Sequence, residues 1–260
     1  MEFQHLLIEN RDAVRVLTIN RPDKLNALNR ETLLELQQAF DDCANDAEVR
    51  VVVLRGAGNK AFVAGADIGE LAALNPLQAR DFSRLGQRMM RSIELLGKPV
   101  IAMIGGYALG GGMELAMACH LRIASDNAKL GQPEINLGTV PGFGGTQRLL
   151  RLAGRGAALE LCLSGAAISA ERAYELGLLH RLVAIDQLEP ETMALARQLE
   201  AAAPQALRGI LDAVLIGGEC GIDAGLDYET HVFAVCATTD DMREGAAAFL
   251  QRRKPEFRGR

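Results

Sequence analysis

The sequence lacks the residue clusters that bind metals or build disulfide frameworks. Its five cysteines form no C-x-x-C pair, and its four histidines form no H-x-x-x-H pair. An odd number of scattered cysteines is typical of reduced thiols rather than of a disulfide scaffold. Zinc sites require closely spaced Cys and His ligands. We therefore expect free thiols and no metal site.

Long apolar stretches and basic tracts are also missing. The longest segment without a charge, residues 99–113, has 15 residues and contains five glycines, whereas a membrane helix needs about 20 apolar residues. The first residues carry charges and show no apolar region or cleavage site of an export signal. With 28 Lys+Arg against 33 Asp+Glu, the formal net charge is −5. We expect a cytoplasmic protein that binds neither nucleic acid nor a membrane.

The glycine-rich segments do not match common nucleotide-binding patterns. Residues 142–147 begin like G-x-G-x-x-G but carry Gln147 at the last glycine position. There is no G-x-x-x-x-G-K-[ST] phosphate loop, and no serine lies in a G-x-S-x-G nucleophile turn. The sequence thus argues against a nucleotide loop and against covalent serine catalysis.

What is present is the composition of an ordinary globular chain, with 49% apolar and 23% charged residues. Alternating apolar runs predict an antiparallel hairpin, after which strands and helices alternate. The predicted strands are 5–9, 14–20, 49–54 and 100–104, and the predicted helices between them are 32–44 and 76–96. This order predicts an α/β protein of stacked crossover units. Beyond about residue 142 the strand signals fade, and we expect a helical carboxyl-terminal part.

A glycine cluster followed by a carboxylate is the first candidate for chemistry. Gly110, Gly111 and Gly112 precede Glu114 at the start of an apolar helical run. Free N–H groups and the helix dipole at such a start can hold an oxyanion, although the same glycines could simply let a helix pack closely on a sheet. A carboxylate in an apolar run is costly unless paired or functional, and desolvation raises its pKa toward values useful in acid–base catalysis.

A second carboxylate, Glu134, follows 20 residues later, flanked by apolar and turn-forming residues. It cannot share a helix face with Glu114. If the fold brings the two together, one can activate water while the other delivers a proton; taken alone, Glu134 is typical of a solvated loop glutamate. In the small-residue loop 62–67, Asp67 is expected to cap the next helix or to end an ordinary turn.

Several short motifs follow one another along the chain, and their order is more specific than any single motif. They are Asn20-Arg21-Pro22, Asn26-Ala27-Leu28, the loop Ala64–Asp67, the segment Gly106–Glu114, Gln132-Pro133-Glu134, and the segment Pro141–Leu149. In this order they resemble the enoyl-CoA hydratase (crotonase) family, and the resemblance covers essentially the whole chain. It implies addition of water across the C2=C3 bond of a trans-2-enoyl-CoA thioester to give a 3-hydroxyacyl-CoA.

The resemblance also implies a site. By it, the N–H groups of Ala66 and Gly111 form an oxyanion hole for the thioester carbonyl, and Glu114 and Glu134 correspond to the two catalytic glutamates. The residues that it places against the substrate are Ala64, Ala66, Asp67, Ile68, Gly69, Gly111 and Gly142. No metal and no redox cofactor is implied, because coenzyme A enters as part of the substrate.

The family fold is a spiral of ββα units with a helical carboxyl-terminal trimerisation region, usually assembled as a dimer of trimers. We place the catalytic core at residues 1–195 and the trimerisation region at 196–260, and we expect a homotrimer or a dimer of trimers. Phe249 and Arg252 match positions that can reach coenzyme A, sometimes in a neighbouring subunit. We interpret them instead as helix packing and a solvated charge.

Several positions depart from the family pattern. Gly69 stands where many relatives carry a lysine near the coenzyme A phosphates, so that contact must be absent or supplied elsewhere. Met113, His120 and Phe143 replace residues that are common in relatives, which leaves the shape of the acyl pocket open.

Other reactions on the same scaffold are alternatives. An isomerase, a decarboxylase or a hydrolase of CoA thioesters would use the same oxyanion hole with other acid–base groups, and the pair of glutamates favours the hydratase. A nucleic-acid-binding relative would need a basic helix. The segment 31–45, which contains the predicted first helix, has four acidic residues and no lysine or arginine, which disfavours RNA binding.

Overall fold

A computed structural model describes residues 3–260. The strands are β1 (Leu6–Arg11), β2 (Val14–Ile19), β3 (Val51–Gly56), β4 (Ala61–Val63), β5 (Val100–Ile104), β6 (Tyr107–Leu109), β7 (Leu121–Ser125), β8 (Lys129–Gly131), β9 (Ile168–Ser169) and β10 (Arg181–Val183). The helices are α1 (Arg30–Asn45), α2 (Ile68–Leu71), α3 (Pro76–Glu94), α4 (Gly111–Ala118), α5 (Gly145–Ser164), α6 (Ala170–Glu175), α7 (Leu188–Glu200), α8 (Pro204–Leu215), α9 (Ile222–Cys236) and α10 (Asp240–Leu250).

The chain winds as a spiral in which successive turns supply one strand to each of two sheets. The six-stranded sheet has the order β1-β2-β3-β5-β7-β10, and the four-stranded sheet has the order β4-β6-β8-β9. The first strand of each turn (β3, β5, β7) joins the large sheet and the second (β4, β6, β8) joins the small one, before a helix leads to the next turn. Apart from the β1–β2 and β8–β9 pairs, neighbouring strands are parallel. The predicted spiral of ββα units is confirmed.

The central strands of the large sheet are buried on both faces. Alternate residues of β3 face two apolar clusters: Val52 and Leu54 pack in the cluster that contains residues of α1 and α3, and Val51 and Val53 pack in the cluster that contains residues of α7. An unbroken apolar run is typical of parallel strands covered on both sides. The sheet is therefore a rigid base from which the loops on its carboxyl ends project.

Most long elements agree with the sequence prediction, whereas short strands were missed. The hairpin is present as β1 and β2, and the strand at 100–104 has the predicted bounds. The long helix α5 is interrupted at Gly154, which has a non-helical φ of 80°. The expectation that strands end near residue 142 was wrong, because β9 and β10 follow; both have three residues or fewer and present no periodicity to detect.

The carboxyl-terminal helices follow a boundary that differs from the predicted one. The predicted division at 195/196 lies inside α7, whose Leu188 and Ala196 pack on the large sheet. Because α7 belongs to the core by its contacts, the helical region begins with α8. No helix in the described part of the chain is long and apolar enough to cross a bilayer.

Candidate active site

One cavity collects most of the residues predicted from the sequence. It has a volume of about 380 Å³ and lies between the loop at 64–68, helix α3, the start of α4 and the segment 133–143. The predicted residues that line it are Ala64, Ala66, Ile68, Gly111, Glu114, Glu134 and Gly142. Asp67 and Gly69 lie outside this lining. Among residues 3–260, no group of three or more His, Cys, Asp or Glu side chains is placed to hold a metal ion.

The loop that carries Ala66 runs beside Leu28. The Leu28 N–H donates to the carbonyl of Gly65, and the Asp67 N–H donates to the carbonyl of Leu28, both at 2.8 Å. Because successive residues of an extended segment direct their N–H groups to opposite sides, the N–H of Ala66 points away from Leu28. It has no hydrogen-bond acceptor among residues 3–260. An N–H donor is thereby held open on the wall of the cavity.

The two amino-terminal motifs explain why this loop is fixed. Buried Asn26 donates from Nδ2 to the carbonyls of Ala57 and Ala61 at 2.9 Å, and its Oδ1 accepts the Arg21 N–H at 3.0 Å. Arg21 in turn lies 2.9 Å from Oδ2 of Asp67, and its guanidinium holds the pKa of that carboxyl below its usual range.

Asp67 therefore supports the loop rather than facing the cavity. Its Oδ1 accepts the Gly69 N–H at 3.1 Å, so Asp67 is the N-cap of α2, as predicted. The N–H of Gly69 is used in this hydrogen bond. Asp67 and Gly69 do not line the cavity, and their contact fixes the backbone that follows Ala66.

The second open N–H belongs to Gly111, at the start of α4. Gly110 precedes it at φ 50° and ψ −122°, a conformation that strongly favours glycine. A Cβ at Gly112 would lie 1.9 Å from the carbonyl oxygen of Val63, and one at Gly111 would lie 3.5 Å from the Ala66 nitrogen. The glycines thus let the helix start come close to the Ala66 loop. In the first helical turn the Gly111 N–H has no intrahelical acceptor, and none is found elsewhere in residues 3–260.

Glu114 is held inside the protein by main-chain groups. It is 1% exposed, and its Oε1 accepts the N–H groups of Gly145 at 2.6 Å and Phe143 at 2.8 Å. Burial, assisted by the negative charge of Glu134, raises the pKa of Glu114 to about 7, although the two N–H donors act in the opposite direction. A group that titrates near neutral pH can both accept and donate a proton during turnover.

Glu134 comes to the same place from a short 3₁₀ turn after β8. A Cβ at Gly110 would lie 2.8 Å from Oε1 of Glu134, so this carboxyl group stands beside the start of α4. With its amide nitrogen facing Glu134, the fully buried Gln132 donates to Oε1 and Oε2 at 2.9 and 3.0 Å. Burial raises the pKa of Glu134 to about 7 as well. Glu134 is therefore not a solvated loop glutamate, and the two predicted carboxylates share one cavity.

Comparison with known proteins agrees with this arrangement. The family model of enoyl-CoA hydratase/isomerase matches residues 9–260. The chain belongs to this family. It is 44% identical over 256 residues to the short-chain-enoyl-CoA hydratase of Clostridium acetobutylicum, covering 98% of each chain. It is 43% identical over 257 residues to the crotonyl-CoA hydratase of Syntrophomonas wolfei, covering 99% of each.

Solved structures give the same result. The enoyl-CoA hydratase of Bacillus anthracis superposes with a TM-score of 0.96 at 39% identity, over 99% of this chain and 100% of that one. An enoyl-CoA hydratase from Polaromonas sp. JS666 superposes with a TM-score of 0.93 at 31% identity, over 97% of this chain and 99% of that one. The predicted family, the crotonase fold and the assignment to the enoyl-CoA hydratases are confirmed.

The positions that depart from the family pattern differ in their consequences. Met113 is fully buried outside the cavity lining, and His120 accepts the Val100 N–H at 2.9 Å behind the large sheet. Neither residue lines the cavity, whereas Phe143 does. Phe249 is 83% exposed, so its own chain leaves this side chain largely uncovered.

Residues that support the glutamates were missed in the sequence. Gln132 was noticed only as part of a family motif, and its contact with Glu134 spans only two positions. Arg148 donates from Nε to Oε1 of Glu94 at 2.6 Å and from Nη1 to the carbonyl of Phe143 at 2.8 Å. Such a bond across 54 positions has no local signal. The only sequence signal for this contact was that Arg148, a charged residue, lies within the motif 141–149.

Proposed function

We propose that this chain hydrates trans-2-enoyl-CoA thioesters to 3-hydroxyacyl-CoA through Glu114, Glu134 and the N–H groups of Ala66 and Gly111. The observation that carries the proposal is the meeting of two carboxylates, each with its pKa raised to about 7, beside two open main-chain donors. This set of groups matches the needs of adding water to a conjugated thioester.

The main-chain donors act on the charge that develops during the reaction. When oxygen attacks C3, electron density moves through C2 to the thioester oxygen, which becomes an enolate oxygen. Two fixed N–H donors aimed at that oxygen stabilise the transition state more than the ground state, because their orientation costs nothing at the moment of reaction. The donors at Ala66 and Gly111 have no competing acceptor in the described part of the chain.

The carboxylates divide one proton between them. Glu114 takes a proton from water as its oxygen bonds to C3, and Glu134 gives a proton to C2 as the enolate collapses, so that one water molecule is added in total. Two N–H donors on Oε1 favour the charged form of Glu114. Gln132 fixes the orientation of Glu134. Because the two groups titrate as a coupled pair, the form with one shared proton is the active one.

The reaction needs no redox cofactor, since hydration leaves the overall oxidation state of the substrate unchanged. Coenzyme A is the thiol part of the thioester, and its C–S bond stays intact throughout. We propose that it enters as part of the substrate and that no separate cofactor takes part.

The test is direct. Purified protein is mixed with crotonyl-CoA, and loss of the conjugated-thioester absorbance is followed together with the mass of the product. We expect a product heavier by one water, and we expect the Glu114→Gln/Glu134→Gln double variant to lose this activity. A wild-type protein that binds crotonyl-CoA without hydrating it, or that only moves the double bond, would refute the proposal.

We further propose that the helices α8 to α10, which lie within the predicted region 196–260, are the main contact region of a trimer or a dimer of trimers. These helices leave large apolar side chains exposed. They include Ile210, Val214, Ile222, Leu226, Phe233 and Phe249. Apolar surface of this kind is stabilised when closed symmetry buries it. The five unpaired cysteines suit a reducing compartment, and we propose a cytoplasmic location.

A further inference from the structure

Phe143 connects the catalytic groups to the apolar wall of the cavity. Its side chain is 4% exposed, and its own N–H is one of the two donors to Glu114. Its ring meets that of Phe82 edge-on, with centroids 5.2 Å apart and planes at 65°. A Cβ at Gly111 would lie 3.3 Å from the ring. Phe143 therefore borders the oxyanion donor with its ring and holds the catalytic carboxylate with its N–H.

Gly86 provides the space for this ring. A Cβ at position 86 would lie 2.2 Å from Cδ1 and 2.6 Å from Cε1 of Phe143, distances that no real contact shows. Gly86 is buried on α3 and has no positive φ, so helical geometry alone does not require glycine here. The ring is thus confined between α3 on one side and the start of α4 on the other.

The position of the thioester determines which part of the acyl group meets the Phe143 ring. With the carbonyl oxygen at Ala66 and Gly111, C3 lies beside Glu114, and the acyl carbons beyond C3 must continue away from the carbonyl. The Phe143 ring borders that space, and Phe82, Leu71 and Leu74 continue the apolar wall.

We propose that Phe143, seated on Gly86 and braced by Phe82, limits the acyl group to short chains. The inference rests on the function proposed above and adds the device that selects the substrate. A close-packed ring does not yield to extra methylene groups without strain, because overpacking displaces neighbouring side chains. Here the neighbour is the oxyanion donor itself.

The primary experiment measures kcat/KM for enoyl-CoA thioesters of four, six, eight and ten carbons, with wild type, Phe143→Leu and Phe143→Ala. We expect wild type to prefer the four-carbon substrate. Each methylene excluded from an apolar pocket changes kcat/KM by roughly tenfold or more, so Phe143→Ala should raise the ratio of ten-carbon to four-carbon kcat/KM by at least about tenfold. The same ratio for Phe143→Leu should lie between those of wild type and Phe143→Ala. Both variants keep the backbone N–H that binds Glu114.

Gly86→Ala tests the seat of the ring independently. The added methyl group must push the ring toward Gly111, and we expect kcat/KM for crotonyl-CoA to fall by about tenfold or more, since a small misplacement near the reacting atoms is costly. In Gly86→Ala/Phe143→Ala the clash is removed, because all three atoms nearest to the added methyl group belong to Phe143. The double variant should recover most of the loss. Gly156→Ala on α5, where a Cβ meets nothing within 4 Å, is the matched control.

The outcomes distinguish failure of the proposed hydration from failure of the proposed role of Phe143. A wild-type protein that hydrates no enoyl-CoA refutes the proposed function. A wild-type protein that hydrates four-carbon and ten-carbon substrates equally well, or a chain-length ratio that Phe143→Ala leaves unchanged, refutes the role of Phe143 and leaves hydration standing. If Phe143→Ala is unstable in thermal melts, Phe143→Leu decides: a ratio of ten-carbon to four-carbon kcat/KM equal to that of wild type overturns the inference.

Discussion

Arg148 and Glu94 form an ion pair directly behind the segment that holds Glu114, with 2.6 Å between Nε and Oε1. The same guanidinium donates to the carbonyl of Phe143, whose N–H donates to Glu114. Both members of the pair are largely buried, and Arg91 provides Glu94 with a second cation at 2.9 Å. The geometry connects α3 to Glu114 through a fixed stretch of main chain.

We expect Arg148→Met to lower kcat more than it raises KM, because the variant loosens the donors to Glu114 without touching the substrate. The positive charge of Arg148 lowers the pKa of Glu114, so its removal should move the acidic limb of the pH profile of kcat/KM to higher pH. Arg151→Met, which removes an exposed partner of Glu219, is the control. A pH profile that Arg148→Met does not shift would show that the guanidinium has no electrostatic effect on Glu114.

Replacement of either glutamate should remove most of the activity. We expect Glu114→Gln and Glu134→Gln each to reduce hydration by roughly 10²–10⁴-fold, the usual contribution of one positioned acid or base, with little change in binding of the thioester. If the two act as a unit, the double variant is much less impaired than the product of the single effects. Steady-state kinetics with Glu160→Gln, an exposed position on α5, as control gives the answer. Near-normal turnover in one single variant would remove that residue from the mechanism.

The raised pKa values also make the stability depend on pH. The pKa of Glu114 is about 7 in the folded protein against 4.5 ordinarily. The folded state therefore binds the proton more tightly than the unfolded state, and the associated stability is present below about pH 4.5 and is lost as the pH rises through about 7. Glu114→Gln should abolish this loss.

The measurement compares thermal unfolding of wild type and Glu114→Gln from pH 5 to pH 8. We expect the free energy of unfolding of the variant to increase relative to that of wild type as the pH rises, by on the order of 1–3 kcal/mol at pH 8. A difference in Tm that stays constant over this range would contradict a raised pKa at Glu114.

The proposed oxyanion hole rests on main-chain donors, and proline substitutions can test it. Ala66→Pro removes an N–H without a protein acceptor, and we expect kcat to fall about 10²–10³-fold while the fold is kept. Ala64→Pro is the matched control, since the Ala64 N–H donates to the carbonyl of Leu25 at 3.1 Å; its loss should lower Tm more than that of Ala66. Ala66→Ser, which keeps the N–H, should have a mild effect. Wild-type turnover in a folded Ala66→Pro protein would show that the thioester oxygen does not bind at Ala66.

The assembly is tested by light scattering at several concentrations. We expect the mass of a trimer or of a dimer of trimers, because the exposed apolar faces of α8 to α10 need a partner surface. Phe233→Asp on α9 places a charge on that face and should shift the population to smaller species. Wild type found only as a monomer over a wide concentration range would defeat the proposal and any role of Phe249 in a neighbouring site.

The sequence alone determined the long elements and pointed to the two carboxylates that line the cavity. Apolar runs and helical periodicity are local, so the hairpin, α1, α3 and β5 could be read from neighbouring residues. Glu114 was visible because a carboxylate in an apolar helix start is costly without a function. The ordered family motifs added Ala66 and Gly111, which composition and spacing would not have assigned.

Only the tertiary structure decided how these parts meet. Glu134 joins Glu114 because β6 and β8 are neighbours in the small sheet, and strands of three residues have no detectable alternation. Phe143 reaches Gly86 on α3, and Arg148 reaches Glu94 on the same helix, each across more than fifty positions. Such contacts depend on the packing of whole elements, whose free energy is shared among many distant side chains. A local sequence pattern therefore cannot predict them, and the shape of the cavity follows from packing alone.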